Sequence, residues 1–426
     1  MSEVYFTSLR TRVGESLLDK LERLVRRAGM DKIDFNNKYV AIKMHFGEPG
    51  NLAYIKPPYV ARIVKIIKEL GGKPFLTDCN TLYVGGRKNA IDHIESAYQN
   101  GFNPYNTGAH VIIADGLKGL DEELVPVPDG KYVKEAKIGK ALMDADIIIS
   151  MTHFKGHESA GFGGVIKNLG MGGGSRAGKM EQHSAGKPFV QQEICVGCHK
   201  CEQYCAHDAV HVTNGKSFIT EEKCVGCGRC VGVCPVDAIS PKWDEANTVL
   251  SEKMAEYTAA VVRNRPRFHI SFVMDVSPYC DCHGENDMPI VPDVGIMASY
   301  DLVALDQACV DKVNAQPPMP GSMLDEAEEK SWDHFHTISP NTDWEAALKR
   351  AEQMGLGSRS YEIVAYRTKS VCGFFKLIPI NWKFRGHMEL IPNNGIPPLR
   401  QDIIHTVIPH YPTVSSSDCF ICRHTF

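Results

Sequence analysis

Two stretches of this chain carry the same cysteine spacing, and nothing else in it limits the fold so tightly. Cys195, Cys198, Cys201 and Cys205 read C-x-x-C-x-x-C-x-x-x-C, and Cys224, Cys227, Cys230 and Cys234 repeat that spacing at an offset of 29 residues, from Cys195 to Cys224. The flanking residues repeat as well, ICVGCHKCEQYCAHDAV against KCVGCGRCVGVCPVDAI, so the segment is an internal duplication. The chain has fifteen cysteines, and its opening MSEVYFTSLRTRVGE lacks the apolar stretch of a secretion signal. A reducing, cytoplasmic setting is therefore expected, in which thiols serve metals or catalysis rather than disulfides.

Three thiolates at i, i+3 and i+6 on a tight loop can hold three irons of one cubane, while the fourth cysteine lies past the loop on a segment aimed away. From about Gln191 to Lys242 the sequence resembles the bacterial two-cluster ferredoxins along its whole length. That resemblance implies that each fourth cysteine ligates the opposite cluster. One 4Fe-4S cluster is then expected on Cys195, Cys198, Cys201 and Cys234, and the second on Cys224, Cys227, Cys230 and Cys205. Gly197, Gly226 and Gly228 suit loops whose backbone N–H groups approach sulfide closely. Ala206 departs from the resemblance, where proline is usual, without removing a ligand. A zinc ribbon is the competing reading of Cys-x-x-Cys pairs, but zinc takes four ligands per site and leaves the regular third and fourth cysteines without a use. Clusters serving only as structural staples are a second alternative, and two neighbouring clusters favour an electron relay.

Around this segment the hydrophobic period alternates between strand and helix. Tyr39–His45, Pro74–Asp78, Val111–Asp115, Asp146–His153 and Phe268–Asp275 read as strands. Pro57–Leu70, Arg87–Asn100, Glu245–Arg263 and Asp301–Asn314 read as helices. The alternation predicts an α/β fold, an open and mainly parallel sheet flanked by helices, with an inserted α+β two-cluster ferredoxin-like domain. The expected boundaries are 1–188 and 243–366 for the two parts of the α/β domain, 189–242 for the insert, and 367–426 for an atypical tail. VAIKMHFGEPGN from Val40, LTDCNTLYVGGRKNAIDH from Leu76, THFKGHESAGFGGVIKNLGMGGGSRAGKMEQHS from Thr152 and VSPYCDCHGENDMPIVPDVGIMASYDLVALDQAC from Val276 resemble the family called domain of unknown function 362. The likeness spans roughly Ser2 to Tyr366. Members often carry such a two-cluster insert, so the resemblance implies fold and clusters but no substrate.

Ligand sites of open α/β sheets lie beyond the carboxyl ends of the strands. Four such ends here carry ionisable groups: His45, Glu48 and Asn51; Asp78, Cys79, Asn80 and Thr81; His153, Lys155, His157, Glu158, Lys167 and Asn168; and Asp275, Cys280, Cys282 and His283. One shared pocket is expected, with His153, Lys155, His157 and Lys167 as its catalytic candidates: the lysines to hold an anion, a histidine to exchange a proton. For His45 or His183 alone, satisfied hydrogen bonding without chemistry is the better reading. Gly161, Gly163, Gly164, Gly170, Gly172, Gly173 and Gly174 around Lys167 suggest either a backbone cradle for carboxylate or phosphate, or close packing. Neither a Walker A loop nor a dinucleotide fingerprint is present. Cys280-Asp-Cys282-His283, with Cys79 if the strand ends converge, offers an additional metal site as the lesser reading, against reduced thiols lining a redox pocket or buried small residues. Cys309 reads as core.

With 47 Lys+Arg against 51 Asp+Glu, no charge imbalance points to nucleic acid, and no apolar run reaches the length of a membrane span. The expected function is electron transfer between a redox partner protein and a small anionic substrate, as an iron-sulfur oxidoreductase of unnamed reaction. The rival is a non-enzymatic carrier or cluster-dependent sensor. Residues 191–242 hold six acidic and five basic residues, so charge does not identify that partner. After Tyr366 the period is lost and seven Lys+Arg face three Asp+Glu. That segment reads as appended, which makes Cys372, Cys419 and Cys422 weak ligand candidates.

Overall fold

The structure, a computed structural model, describes residues 1–183, 186–243 and 245–365. The chain divides into Met1–Thr368 and Lys369–Phe426. The second unit, with Cys372, Cys419 and Cys422, lies outside the described residues.

The apolar runs form the centre of an eight-stranded sheet. Its strands are β1 (Ser2–Thr7), β2 (Tyr39–Lys43), β3 (Lys73–Asp78), β4 (Val111–Ile113), β5 (Ile147–His153), β6 (Arg267–Val273), β7 (Gly295–Ser299) and β8 (Tyr361–Ala365), in the spatial order β8-β1-β7-β6-β5-β2-β3-β4. Seven strands run one way; β7 alone is antiparallel, to both β1 and β6. The sequence reading passed over β7, whose GIMAS is too short to show a period.

Every residue of β5 is buried, as expected for a central parallel strand covered on both faces. Its side chains alternate between the two cores. Ile147, Ile149 and Met151 join Leu21, Leu24, Val60 and Ile63 from helices Leu17–Arg27 and Pro57–Glu69. Ile148 joins Val165, Leu169, Met254, Val261 and Leu305 from helices Val165–Gly173, Asn247–Val262 and Leu302–Asn314. Local signals set the helix starts: Ser16 and Asp19 form a capping box, and the side chains of Asn89 and Asp301 accept from the first turns of their helices.

The cysteine-rich segment leaves the α/β body and returns beside its own exit, because Pro188–Val190 pairs antiparallel with Ile239–Pro241. Between these strands lie short helices Lys200–Gln203 and Arg229–Val233 and the hairpin Val210–Thr213/Lys216–Ile219. Leu82 and Met180 of the α/β body share an apolar cluster with Cys201, Val210, Cys230, Val231 and Ile239. An ion pair of Lys88 with Asp237, and Lys118 over the Tyr204 ring at 4.7 Å, complete the contact. No helix among the described residues is long and apolar enough to cross a membrane.

Candidate functional site

Each cysteine repeat delivers its first three sulfurs to one cavity and its fourth to the other. Cys195, Cys198 and Cys201 line a cavity with Cys234, and Cys224, Cys227 and Cys230 line a second with Cys205. Backbone N–H groups already point at the sulfurs: Ala209 donates to Cys205 at 3.3 Å, Ala238 to Cys234 at 3.2 Å and Ser217 to Cys195 at 3.3 Å. The first two are the same bond in the two repeats, and N–H donors suit sulfur that carries charge. Gly226, at φ +69°, runs where a Cβ would meet the Gly186 carbonyl at 1.8 Å, so the loop closes as it does only without a side chain. Burial raises the thiols of Cys201, Cys224 and Cys230. The donor set is compatible with metal binding, and the twelve cysteines among the described residues are all free of disulfides.

At the carboxyl edge of the sheet, residues from the ends of β2, β3, β5 and β6 line one cavity of about 520 Å³. His45, Glu48, Asp78, Cys79, His153, Lys155, His157, Lys167, Cys280, Cys282 and His283 all face it, as do His183 and Trp243 beside the cysteine-rich segment. Its wall on the β2–β3 side is a buried ion network. Lys43 Nζ lies 2.9 Å from Asp78 Oδ1 and 2.9 Å from Asn168 Oδ1; Arg87 Nε lies 2.8 Å from Glu48 Oε2, with its Nη1 3.6 Å from Asp78 Oδ2. Burial alone would raise Asp78, but Lys43 and its other neighbours outweigh it and hold the carboxyl well below the usual range. Lys43 and Arg87 carry no motif; their roles follow only from the packing of the strand ends.

The β5–β6 side is organised by Asp281, a residue that sequence reasoning missed although it sits between two cysteines already singled out. Fully buried, it accepts from His153 Nδ1 at 2.7 Å and lies 3.2 Å from Lys155 Nζ. His153 Nε2 in turn faces the carbonyls of Met274 at 2.9 Å and Asp275 at 3.1 Å. Both ring nitrogens therefore face acceptors inside the protein, and Lys155 also donates to the His153 carbonyl at 3.1 Å. These two candidates join β5 to the Cys280 loop. Gly156 permits the crossing, because a Cβ there would lie 2.3 Å from the Pro278 carbonyl.

Lys167 and His157 point elsewhere, at sulfur. Lys167 Nζ lies 3.1 Å from Cys280 Sγ. A ring nitrogen of His157 and the sulfurs of Cys280 and Cys282 lie within 4.8 Å of one another, as do donor atoms of Glu158, Cys282 and His283; this spacing is compatible with a metal ion. Cys79 belongs to neither group: its Sγ donates to the Gly173 carbonyl at 3.4 Å, and burial raises it. Hydrogen bonding from Cys282, then Lys167 and His157, lower the Cys280 thiol well below its ordinary value against the cost of burial, and Cys282 moves well above. Cys309, bonded to Met297 Sδ at 3.8 Å, is core.

The glycine cradle takes a different form from the first of its two readings. Val165–Gly173 is a helix, in which Gly170 packs against the Met254 carbonyl and Gly172 against Lys43 Nζ. The N–H groups of Val165 and Ile166 at its start are taken by Asp306, at 2.7 and 3.0 Å. That helix end is thus closed to a substrate anion by the protein's own carboxylate, and close packing explains the glycines.

Comparison with known proteins gives limited likeness beyond the family. A thylakoid-associated protein, sll1697, of Synechocystis sp. is 27% identical over 127 residues, 28% of this chain and 34% of that protein, so the chain spans about a third of its curated relative. Among solved structures, the lactate racemase apoprotein of Thermoanaerobacterium thermosaccharolyticum superposes with a TM-score of 0.35 at 12% identity, covering 64% of this chain and 51% of that one. A Thermotoga maritima protein gives 0.33 at 11% identity, covering 82% and 60%. At these scores neither speaks to the chemistry of the site. Residues 40–311, which contain both the cysteine repeat and all four strand ends, match one family along their length, and the chain belongs to the family described as Domain of unknown function (DUF362).

Proposed function

We propose that this chain is an iron-sulfur oxidoreductase that binds two 4Fe-4S clusters in a two-cluster ferredoxin-like insert and exchanges electrons with a substrate held in the strand-end cavity. One observation carries the reading: each of two cavities is lined by three sulfurs of one repeat and the fourth of the other. Cys195, Cys198, Cys201 and Cys234 would hold one cluster, and Cys224, Cys227, Cys230 and Cys205 the second. When bound, such clusters supply one-electron oxidation and reduction. Zinc has no need of eight thiolates in this interleaved pattern.

The chain's own residues define the rest of the site. Leu82 lines the strand-end cavity and also packs in the apolar cluster with Cys201 and Cys230, so a single side chain separates the two regions. Apolar packing there excludes water between them. Among the four catalytic candidates, His157 is the one placed to hand a proton to a group beside Cys280, since His153 is committed to Asp281 and two carbonyls. Lys167 supplies positive charge to an anion at the cavity wall, while Lys155 is engaged by Asp281. The enclosed cavity holding all four favours an enzyme over a carrier that docks on a shallow surface. A small anionic substrate in a reducing, cytoplasmic setting, with a redox protein as electron donor, completes the proposal.

Anaerobic purification with iron, sulfide and whole-metal quantitation tests it. About eight irons and eight sulfides per chain are expected, with visible absorption that bleaches on reduction. Stoichiometric zinc without sulfide would sink the reading.

A further inference from the structure

We propose that Cys280 and Cys282 are a redox-active dithiol, Cys280 the attacking thiolate and Cys282 the resolving thiol, which closes to an intramolecular disulfide at the wall of the strand-end cavity. Cys280 is 1% exposed yet lines that cavity. Three groups converge on its sulfur: the Lys167 ammonium at 3.1 Å, and the His157 ring and Cys282 sulfur, mutually within 4.8 Å. The N–H of His283 donates to the Cys280 carbonyl at 3.0 Å, so a turn brings the two cysteines' backbones together. A rotation of the side chains then takes the sulfurs to bonding distance. A thiolate ringed by an ammonium and an imidazole is the arrangement that activates cysteine nucleophiles.

Two features argue for an anionic sulfur here and against a metal. His157 Nδ1 accepts the N–H groups of Ser159 at 3.0 Å and Ala160 at 3.2 Å, so the neutral ring carries its proton on Nε2, the nitrogen left to face the sulfur. A metal-bound histidine has the opposite pattern, donating from its remote nitrogen to an acceptor. An ammonium 3.1 Å from the sulfur would also repel a bound cation.

The partner by class is a low-molecular-weight disulfide. The Cys280 thiolate attacks one of its sulfurs; the S–S bond breaks, a mixed disulfide forms, and the leaving thiolate takes a proton. Cys282 then gives up its proton to solvent through His157 and attacks the Cys280 sulfur, expelling the second thiolate. Two protein thiols are oxidised by two electrons, and one disulfide is reduced to two thiols. The reverse sequence consumes a thiol reductant. This exchange needs no cluster, so it stands or falls separately from the electron-transfer reading.

The full chain, with and without iron, is equilibrated in graded glutathione redox buffers, quenched in acid, alkylated and sequenced by tandem mass spectrometry. A Cys280–Cys282 cross-link is expected to appear as a two-electron transition in both preparations. Cys282→Ser should instead trap glutathione on Cys280. Lys167→Met should slow alkylation of Cys280 at pH 7 by about tenfold or more, as the thiolate fraction falls further than the intrinsic nucleophilicity rises. Cys282→Ser removes no buried charge and keeps the test open if Lys167→Met does not fold. Absence of the cross-link at every ratio, or stoichiometric zinc that shields both thiols until chelated, would overturn the proposal.

Discussion

Replacing Asp281 by Asn tests the electrostatic frame of the cavity. The substitution keeps the shape of a side chain that is 0% exposed but removes its charge and turns one acceptor into a donor. Lys155 Nζ at 3.2 Å represents a gross attraction of about 5 kcal/mol at an effective dielectric of about 20, and the His153 Nδ1 bond at 2.7 Å adds about 2 kcal/mol as a charge-assisted hydrogen bond. Desolvation offsets part of this sum, and removing one partner of a buried pair costs about 3–5 kcal/mol. Unfolding entropy of about 2.1 cal/mol/K per residue over roughly 365 residues is about 0.77 kcal/mol/K, so the melting temperature should fall by about 4–7 °C. Scanning calorimetry measures this directly. Asp281 has its folded pKa depressed, because His153 and Lys155 outweigh a burial that would raise it. Its contribution is therefore present above the ordinary carboxylate range and is lost as pH falls below about 4. The deficit of Asp281→Asn should narrow on acidification. A variant as stable as the parent at pH 7, or one whose deficit stays constant down to pH 3, would refute the argument.

Other outcomes follow from the same geometry. In Cys234→Ser, reconstituted iron should fall by about half, with the loss at the Cys195–Cys198–Cys201 site and the Cys224 triplet intact, as read by Mössbauer or electron paramagnetic resonance; loss confined to the Cys224 triplet would reverse the assignment. Gly226→Ala pushes a methyl group into the Gly186 carbonyl at φ +69°, and should cost at least about 1–2 kcal/mol in urea titrations, whereas Gly14→Ala, with nothing within 4 Å, should cost less. Burial raises Asp306 to about 7 despite its two backbone donors. Its stabilising effect is thus full below the unfolded value near 4 and is lost as pH rises through 7, so Asp306→Asn should gain on the parent in melting temperature between pH 4 and pH 8. An unchanged difference across that range would contradict the buried-carboxyl account.

Much of the fold was open to a reader of the sequence, because period and punctuation are local properties. The strands at Tyr39, Pro74, Val111, Asp146 and Phe268 and the helices between them lie within a few residues of the observed bounds. β7 escaped because five residues, GIMAS, are too few to show alternation, and its antiparallel direction is fixed by neighbours far away in the chain. The glycines from Gly161 to Gly174 suggested a loop because glycine is a poor helix former, and burial against Met254 and Lys43 overrode that propensity.

The amino-acid sequence alone determined the cysteine repeat, the alternating α/β pattern and the strand ends at which polar groups gather, since each depends on spacing along the chain. Tertiary structure decided which of those groups face one another. Asp281 commits His153 and Lys155 to structure, Asp306 closes a helix end, and Lys167 and His157 turn to a sulfur more than a hundred residues distant. Partners of a buried charge are chosen by packing across the sheet, where the low dielectric makes an unpaired ion too costly to leave, and no local period records that choice.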